Sequence, residues 1–315
     1  MTAETLIQAD HLHRYYGEHC AVRDVSFELA KGDVLGFLGP NGAGKTSTMQ
    51  MITGNLAPSA GRISVHGIDL LDRPKQAKAW LGYLPEQPPL YRELTVDEYL
   101  RYCARLNRLP RNAVRAALDT AKERCGLTEV GNRLIGNLSK GFQQRVGIAQ
   151  AILHNPTVVI LDEPTVGLDP IQIREIRALI RELGRDHGII LSTHILPEVE
   201  AICTRVQIIH EGSLVFADSI AGLEQQLESQ SLLAGFHTQP GEEQLVELPG
   251  VIAVDSLGDG RVRLHYDGQS PAEALVTRAA EEGWRLHELT PERRTLEQIF
   301  VELTHREPAI ATQSK

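Results

Sequence analysis

The sequence predicts an α/β protein built on a mostly parallel sheet and followed by a small α+β module. Three observations carry this. Apolar runs alternate with helix-like stretches through the first two thirds of the chain. The runs in "VVILDE" and "GIILSTH" end in polar and charged residues. Beyond about Asp218 the pattern changes to strands with one helix. Alternation of the first kind implies crossover connections and a ligand site at the carboxyl ends of the strands.

At 315 residues the chain is long enough for about two domains, each with its own core. An apolar share of 42% with 23% charged residues excludes a disordered or fibrous protein. The net charge of −9 argues against broad electrostatic binding to nucleic acid or anionic lipid, so any phosphate affinity must be local. Cys20, Cys103, Cys125 and Cys203 lack ligand or redox spacing, which suits free thiols in a reducing cytosol. "MTAETLIQADH" has no secretion-signal pattern. No apolar run approaches the roughly 18 residues needed to span a bilayer, so no direct membrane insertion is expected.

In order along the chain, "DVLGFLGPNGAGKTSTMQMITG" reads as strand, glycine-rich loop and helix ending at Gly54. From Leu94 to about Ile152 the pattern is largely helical, and "LSKGFQQRVGIAQAI" there is a capped helix start of an anion-binding kind. "TVVILDEPTVGLD" and "GIILSTHI" are buried strands. In the last third, "SLLAGFHT", the hairpin "VIAVDSLGDGRVRLHYDG", "PAEALVTRAAEEG" and "WRLHEL" supply strands and a helix.

The chemistry starts at "GPNGAGKTS", which fits a phosphate-binding loop. Gly39, Gly42 and Gly44 permit the tight path that turns N–H groups inward, while Pro40, Asn41, Ala43 and Ser47 complete the loop. Lys45 places a cation against the terminal phosphates, and Thr46 offers a hydroxyl to Mg²⁺. Asp162 and Glu163 follow an apolar strand side by side. Adjacent strand residues point to opposite sides, so Asp162 is expected to hold Mg²⁺ and Glu163 to polarise the attacking water. His194, at the end of the next strand, is placed to link the γ-phosphate to that water.

With these motifs in this order, the chain resembles the nucleotide-binding subunit of an ATP-binding cassette (ABC) transporter over roughly residues 5–218. Gly39–Thr46 matches Walker A and Val158–Glu163 Walker B. Ser139, Lys140, Gly141, Phe142 and Gln143 match the signature, and Gly167, Leu168 and Asp169 the D-loop. His194 matches the switch histidine, Gln87 the Q-loop glutamine that touches the metal, and Tyr16 the aromatic that stacks on adenine, with Tyr15 the alternative. Within the family the chain is most similar to ABC-2 type exporter ATPases, including the gliding-motility group, whose C-terminal extension the tail ending in "TLEQIFVELT" also resembles. The resemblance implies a P-loop NTPase cassette over 1–218 with an N-terminal antiparallel β subdomain and a helical subdomain at about 88–155. Residues 219–315 would then form an accessory domain.

It further implies ATP and Mg²⁺ as ligands, and a second copy or paralogue whose Ser139 and Gly141 close on the opposing nucleotide. An ABC-2 type permease is the implied membrane partner, which would hold the chain on the cytoplasmic face of the inner membrane. Lys140 and Phe142 depart from the usual signature, and Lys140 either adds a cation near the phosphates or points to solvent. Soluble cassettes acting on the ribosome resemble two cassettes in one chain, and those acting on DNA insert a long coiled coil. This chain has a single P-loop and a single signature. Together Lys45, Asp162, Glu163 and His194 argue against a non-hydrolysing module.

Overall fold

A computed structural model describes residues 4–293 of the chain. It divides into two units, Met1–Ile220 and Ala221–Lys315. The first opens with a long hairpin, β1 (Thr5–Tyr16) and β2 (His19–Ala30), followed by β3 (Val34–Leu38) and helix α1 (Lys45–Ile52). Strands β4 (Ala60–Val65) and β5 (Ile68–Asp69) join the hairpin in an antiparallel sheet of order β2-β1-β4-β5. Next come α2 (Pro74–Lys78), β6 (Leu81–Leu84) and three helices, α3 (Val96–Leu106), α4 (Arg111–Arg124) and α5 (Lys140–Ile152). Then β7 (Val158–Asp162), α6 (Pro170–Leu183), β8 (Gly188–Thr193), α7 (Leu196–Ile202), β9 (Arg205–His210), β10 (Ser213–Ser219) and α8 (Ile220–Leu227) follow.

These strands build a six-stranded sheet of order β10-β9-β3-β8-β7-β6, parallel except where β10 meets β9. Strands β3, β7 and β8 are buried at every position, which is why their sequences are continuous apolar runs rather than alternating ones. The order puts β8 between β3 and β7, so three strand ends meet at one edge. The helices are set by local signals. In α3 a Thr95–Glu98 capping box starts the helix, and Val96, Tyr99, Leu100, Cys103 and Ala104 form its buried stripe. Asp169 caps α6 ahead of Pro170, and Ile176, Leu179, Ile180 and Leu183 face inward.

The second unit contains β11 (Glu228–Phe236), α9 (Glu242–Val246), β12 (Val251–Gly258), β13 (Arg261–Tyr266), α10 (Ala272–Glu281) and β14 (Leu286–Arg293). Its antiparallel sheet has the order β12-β13-β11-β14, over a core that includes Leu232, Phe236, Leu264, Leu275 and Trp284. The β12–β13 hairpin closes through Gly258, Asp259 and Gly260, all at positive φ. Arg263 donates twice to Glu292, at 2.6 and 2.9 Å, and holds that carboxyl below its ordinary range. The stretch "TLEQIFVELT" lies outside the described residues. Among the described residues no helix is long and apolar enough to cross a membrane.

Candidate active site

The loop from Gly39 to Gly44 joins β3 to α1 along a path that only glycine allows at two points. Gly44, the residue before α1, has φ +106°, and a Cβ there would lie 2.4 Å from the Ala21 carbonyl oxygen. A Cβ on Gly39 would lie 2.3 Å from the Ile209 carbonyl oxygen. Lys45 is 5% exposed, and its Nζ donates to the carbonyls of Gly39 at 2.8 Å and Pro40 at 3.2 Å. It also sits 3.5 Å from Glu163 Oε1. Ala43 is buried behind the loop, and its carbonyl accepts from the Gly212 N–H at 3.0 Å. A cleft of about 230 Å³ opens over this turn, lined by Ala21, Asn41, Gly42, Gly44, Lys45, Thr46, Ser47, Glu86, Glu163, Val166 and His194.

The opposite wall comes from β7 and β8. Asp162 ends β7 as expected, but Glu163 leaves the strand with φ +47°, in the left-handed region that a non-glycine residue occupies only when its surroundings hold it there. Ser192 is the holder. It is fully buried, its carbonyl and hydroxyl oxygens accept from the Glu163 N–H at 3.1 and 3.2 Å, and its hydroxyl donates to Asp162 Oδ1. Glu163 Oε2 lies 3.0 Å from His194 Nδ1. Burial pushes the Asp162 carboxyl above its ordinary range; the Ser192 hydroxyl opposes this, Glu86 adds to it, and Lys45 and the Thr46 hydroxyl pull back. Asp162 Oδ2 is buried with no hydrogen-bond partner. A buried carboxylate oxygen without a partner, on a carboxyl that also feels the Thr46 hydroxyl beside a phosphate loop, fits a hard cation such as Mg²⁺.

Glu86 and Gln87 are both exposed, and of the two Glu86 lines the cleft. Ser192 and Glu86 were both missed. A serine inside the apolar run "GIILST" is the signal by which the first could have been found.

Tyr16 and Tyr15 are both about half exposed, but their surroundings differ. The Tyr16 hydroxyl lies 3.4 Å from Ser47 Oγ, and the Arg14 guanidinium sits 4.8 Å from its ring centre. Tyr15 stacks instead on His13. None of Ser139 to Gln143 lines the cleft. Ser139 caps α5, accepting from the Phe142 N–H at 3.4 Å, and Phe142 packs under Arg145. Gln143 is tied to the carbonyls of Ile135 and Leu138. Gly141 is buried against the Gln172 side chain, whose end would have to move to admit a Cβ. Lys140 is exposed, yet its Nζ comes so close to Gly167 that a Cβ there would be 2.1 Å away. The turn of Gly167 (φ +72°), Leu168 and Asp169 leads into α6, and Asp169 Oδ1 accepts from the N–H groups of Ile171 and Gln172, each at 2.9 Å.

A family model described as "ABC transporter" matches residues 22–166. The chain is 31% identical over 300 residues to the uncharacterized ABC transporter ATP-binding protein YxlF of Bacillus subtilis (strain 168), covering 95% of this chain and 100% of that one. It is 39% identical over 213 residues to the bacitracin transport ATP-binding protein BcrA of Bacillus licheniformis, covering 67% of this chain and 69% of that one. A solved structure of an ATP-binding subunit of an ABC transporter superposes with a TM-score of 0.64 at 33% identity, over 70% of this chain and 92% of that one.

Proposed function

The chain belongs to the ATP-binding subunits of ABC transporters, which hydrolyse ATP to power transport, and we propose that its cleft does this in the closed seam between two copies. One observation carries the reading. Lys45, Glu163 and His194 converge on the phosphate loop while Asp162 Oδ2 is left without a partner. The loop of residues 41–47 at the start of α1 and the Lys45 ammonium hold the β- and γ-phosphates, and the Tyr16 ring stacks on the base. Glu163 orients the attacking water and draws off its proton, and His194, held against Glu163, bridges that water to the γ-phosphate. Thr46 and Asp162 would hold Mg²⁺, which supplies positive charge to the phosphates. Glu86 completes the acidic wall.

Ser139 and Gly141 of the other copy close over the γ-phosphate, with the 167–169 turn at the same seam. That none of them lines the chain's own cleft supports this. Closure moves a membrane permease, of ABC-2 type, docked on the exposed segment 87–94. This holds the chain on the cytoplasmic face of the membrane. The cassette spans residues 1–218, and 219–315 is an accessory module. An exporter role is supported by the likeness to the bacitracin transport protein.

The test is Glu163→Gln, which keeps size and removes the charge. Hydrolysis falls by about 10²–10⁴-fold while ATP stays bound. On a sizing column the variant runs as a monomer without nucleotide or with ADP and as a dimer with Mg·ATP, and adding Ser139→Arg abolishes the dimer. A variant that binds ATP tightly yet stays monomeric would sink the assignment of Ser139 and Gly141 to the opposing nucleotide.

A further inference from the structure

Glu198, on α7, is 1% exposed and takes no part in the chemistry above. Its two carboxyl oxygens serve two different turns. Thr165 Oγ donates to Oε1, and Thr193 Oγ donates to Oε2 at 2.9 Å. Thr165 stands two residues beyond Glu163, and Thr193 immediately precedes His194. Thr193 Oγ also accepts from the Ile195 N–H at 3.1 Å, so the residues on both sides of His194 are fastened through one oxygen. Arg177 Nη2, from α6, lies 3.9 Å from Oε1. A fully buried carboxyl is a costly way to join a helix to a sheet, and an apolar side chain would fill the space more cheaply. What the carboxyl adds is two directional acceptors at a fixed separation.

That separation matters because Glu163 sits at φ +47°, outside the conformation its own chain prefers. Ser192 holds it on the strand side, and Glu198 holds the far end of the same turn through Thr165. We propose that Glu198 is a positioning residue for hydrolysis. It ties the turn carrying Glu163 to the turn carrying His194, at the spacing that brings His194 Nδ1 within 3.0 Å of Glu163 Oε2. The inference rests on Glu163 and His194 acting on the attacking water.

The experiment is steady-state ATPase kinetics on the full chain, with melting temperature followed in parallel. Thr165→Val and Thr193→Val keep the shape and remove the hydroxyl; Thr165→Ser and Thr193→Ser keep it. The valine variants lower kcat by about ten- to a hundredfold with little change in KM, and the serine variants restore most of it. Glu198→Gln, which loses one acceptor, behaves like a valine variant; should it fail to fold, the threonine pairs carry the test. In a His194→Ala background, Thr193→Val has no further effect on kcat, because the group it positions is gone. A merely structural role predicts a lower melting temperature, an unchanged kcat per folded molecule and no dependence on the His194 background. Valine variants with the kcat of the unaltered chain, or an undiminished effect of Thr193→Val beside His194→Ala, overturn the inference. A His194→Ala variant as fast as the unaltered chain overturns the reading beneath it, a different result from a slow His194→Ala with fast threonine variants.

Discussion

The two walls of the cleft are built in opposite ways. The phosphate-loop wall is one continuous segment, 39–47, and its geometry is main-chain geometry: two glycines where a Cβ would strike a carbonyl oxygen, one of them at positive φ, and a lysine pinned to its own loop's carbonyls. Glu86, Asp162, Glu163, Ser192 and His194 make up the acid wall, from the ends of β6, β7 and β8. No two of those strands are consecutive elements of the chain. They meet because the sheet order places β8 beside β7 and β7 beside β6. A cradle can therefore be written in a short stretch of sequence, whereas a water-orienting pair needs a sheet to assemble it.

If the first wall is a matter of backbone path, Gly44→Ala should cost the most. At φ +106°, with the Ala21 oxygen 2.4 Å from the new Cβ, the loop must shift, and ATP affinity should fall by about a hundredfold in a nucleotide titration. A fully active Gly44→Ala would break the comparison. Tyr16→Ala removes the base platform and should weaken ATP by roughly five- to 150-fold, while Tyr15→Ala leaves it nearly unchanged; the reverse result would exchange their roles. If the second wall depends on links between strands, Ser192→Ala should slow turnover by about tenfold with ATP binding intact. It strips a partner from both Asp162 Oδ1 and the Glu163 turn. The smallest effect sharpens the picture of the β6 loop. Gln87→Ala should leave hydrolysis by the isolated chain within about twofold, and Glu86→Ala should change it by more.

Much of the site was legible because its residues carry their own chemistry. The loop glycines, Lys45, the Asp162–Glu163 pair and His194 stand at the ends of apolar runs, and the structure gathers Lys45, Glu163 and His194 around one cleft. Glu86 was not legible, because only the fold beyond β6 brings it to the cleft. Lys140 was left between phosphate and solvent, and in the fold it is exposed, with its Nζ close to Gly167.

By itself the sequence determined the elements and the phosphate loop, because strand period, helix caps and glycine turns act over a few residues. It also determined which residue types could do the chemistry. Tertiary structure alone decided the strand order, the turn of Glu163 out of β7, the Ser192 bridge and the Glu198 tie between two turns. The last three each include a hydrogen bond between residues about thirty positions apart, and the strand order rests on pairings as distant as Leu35 with Arg205; a chain statistic of local preference has no access to a partner that only the folded sheet supplies.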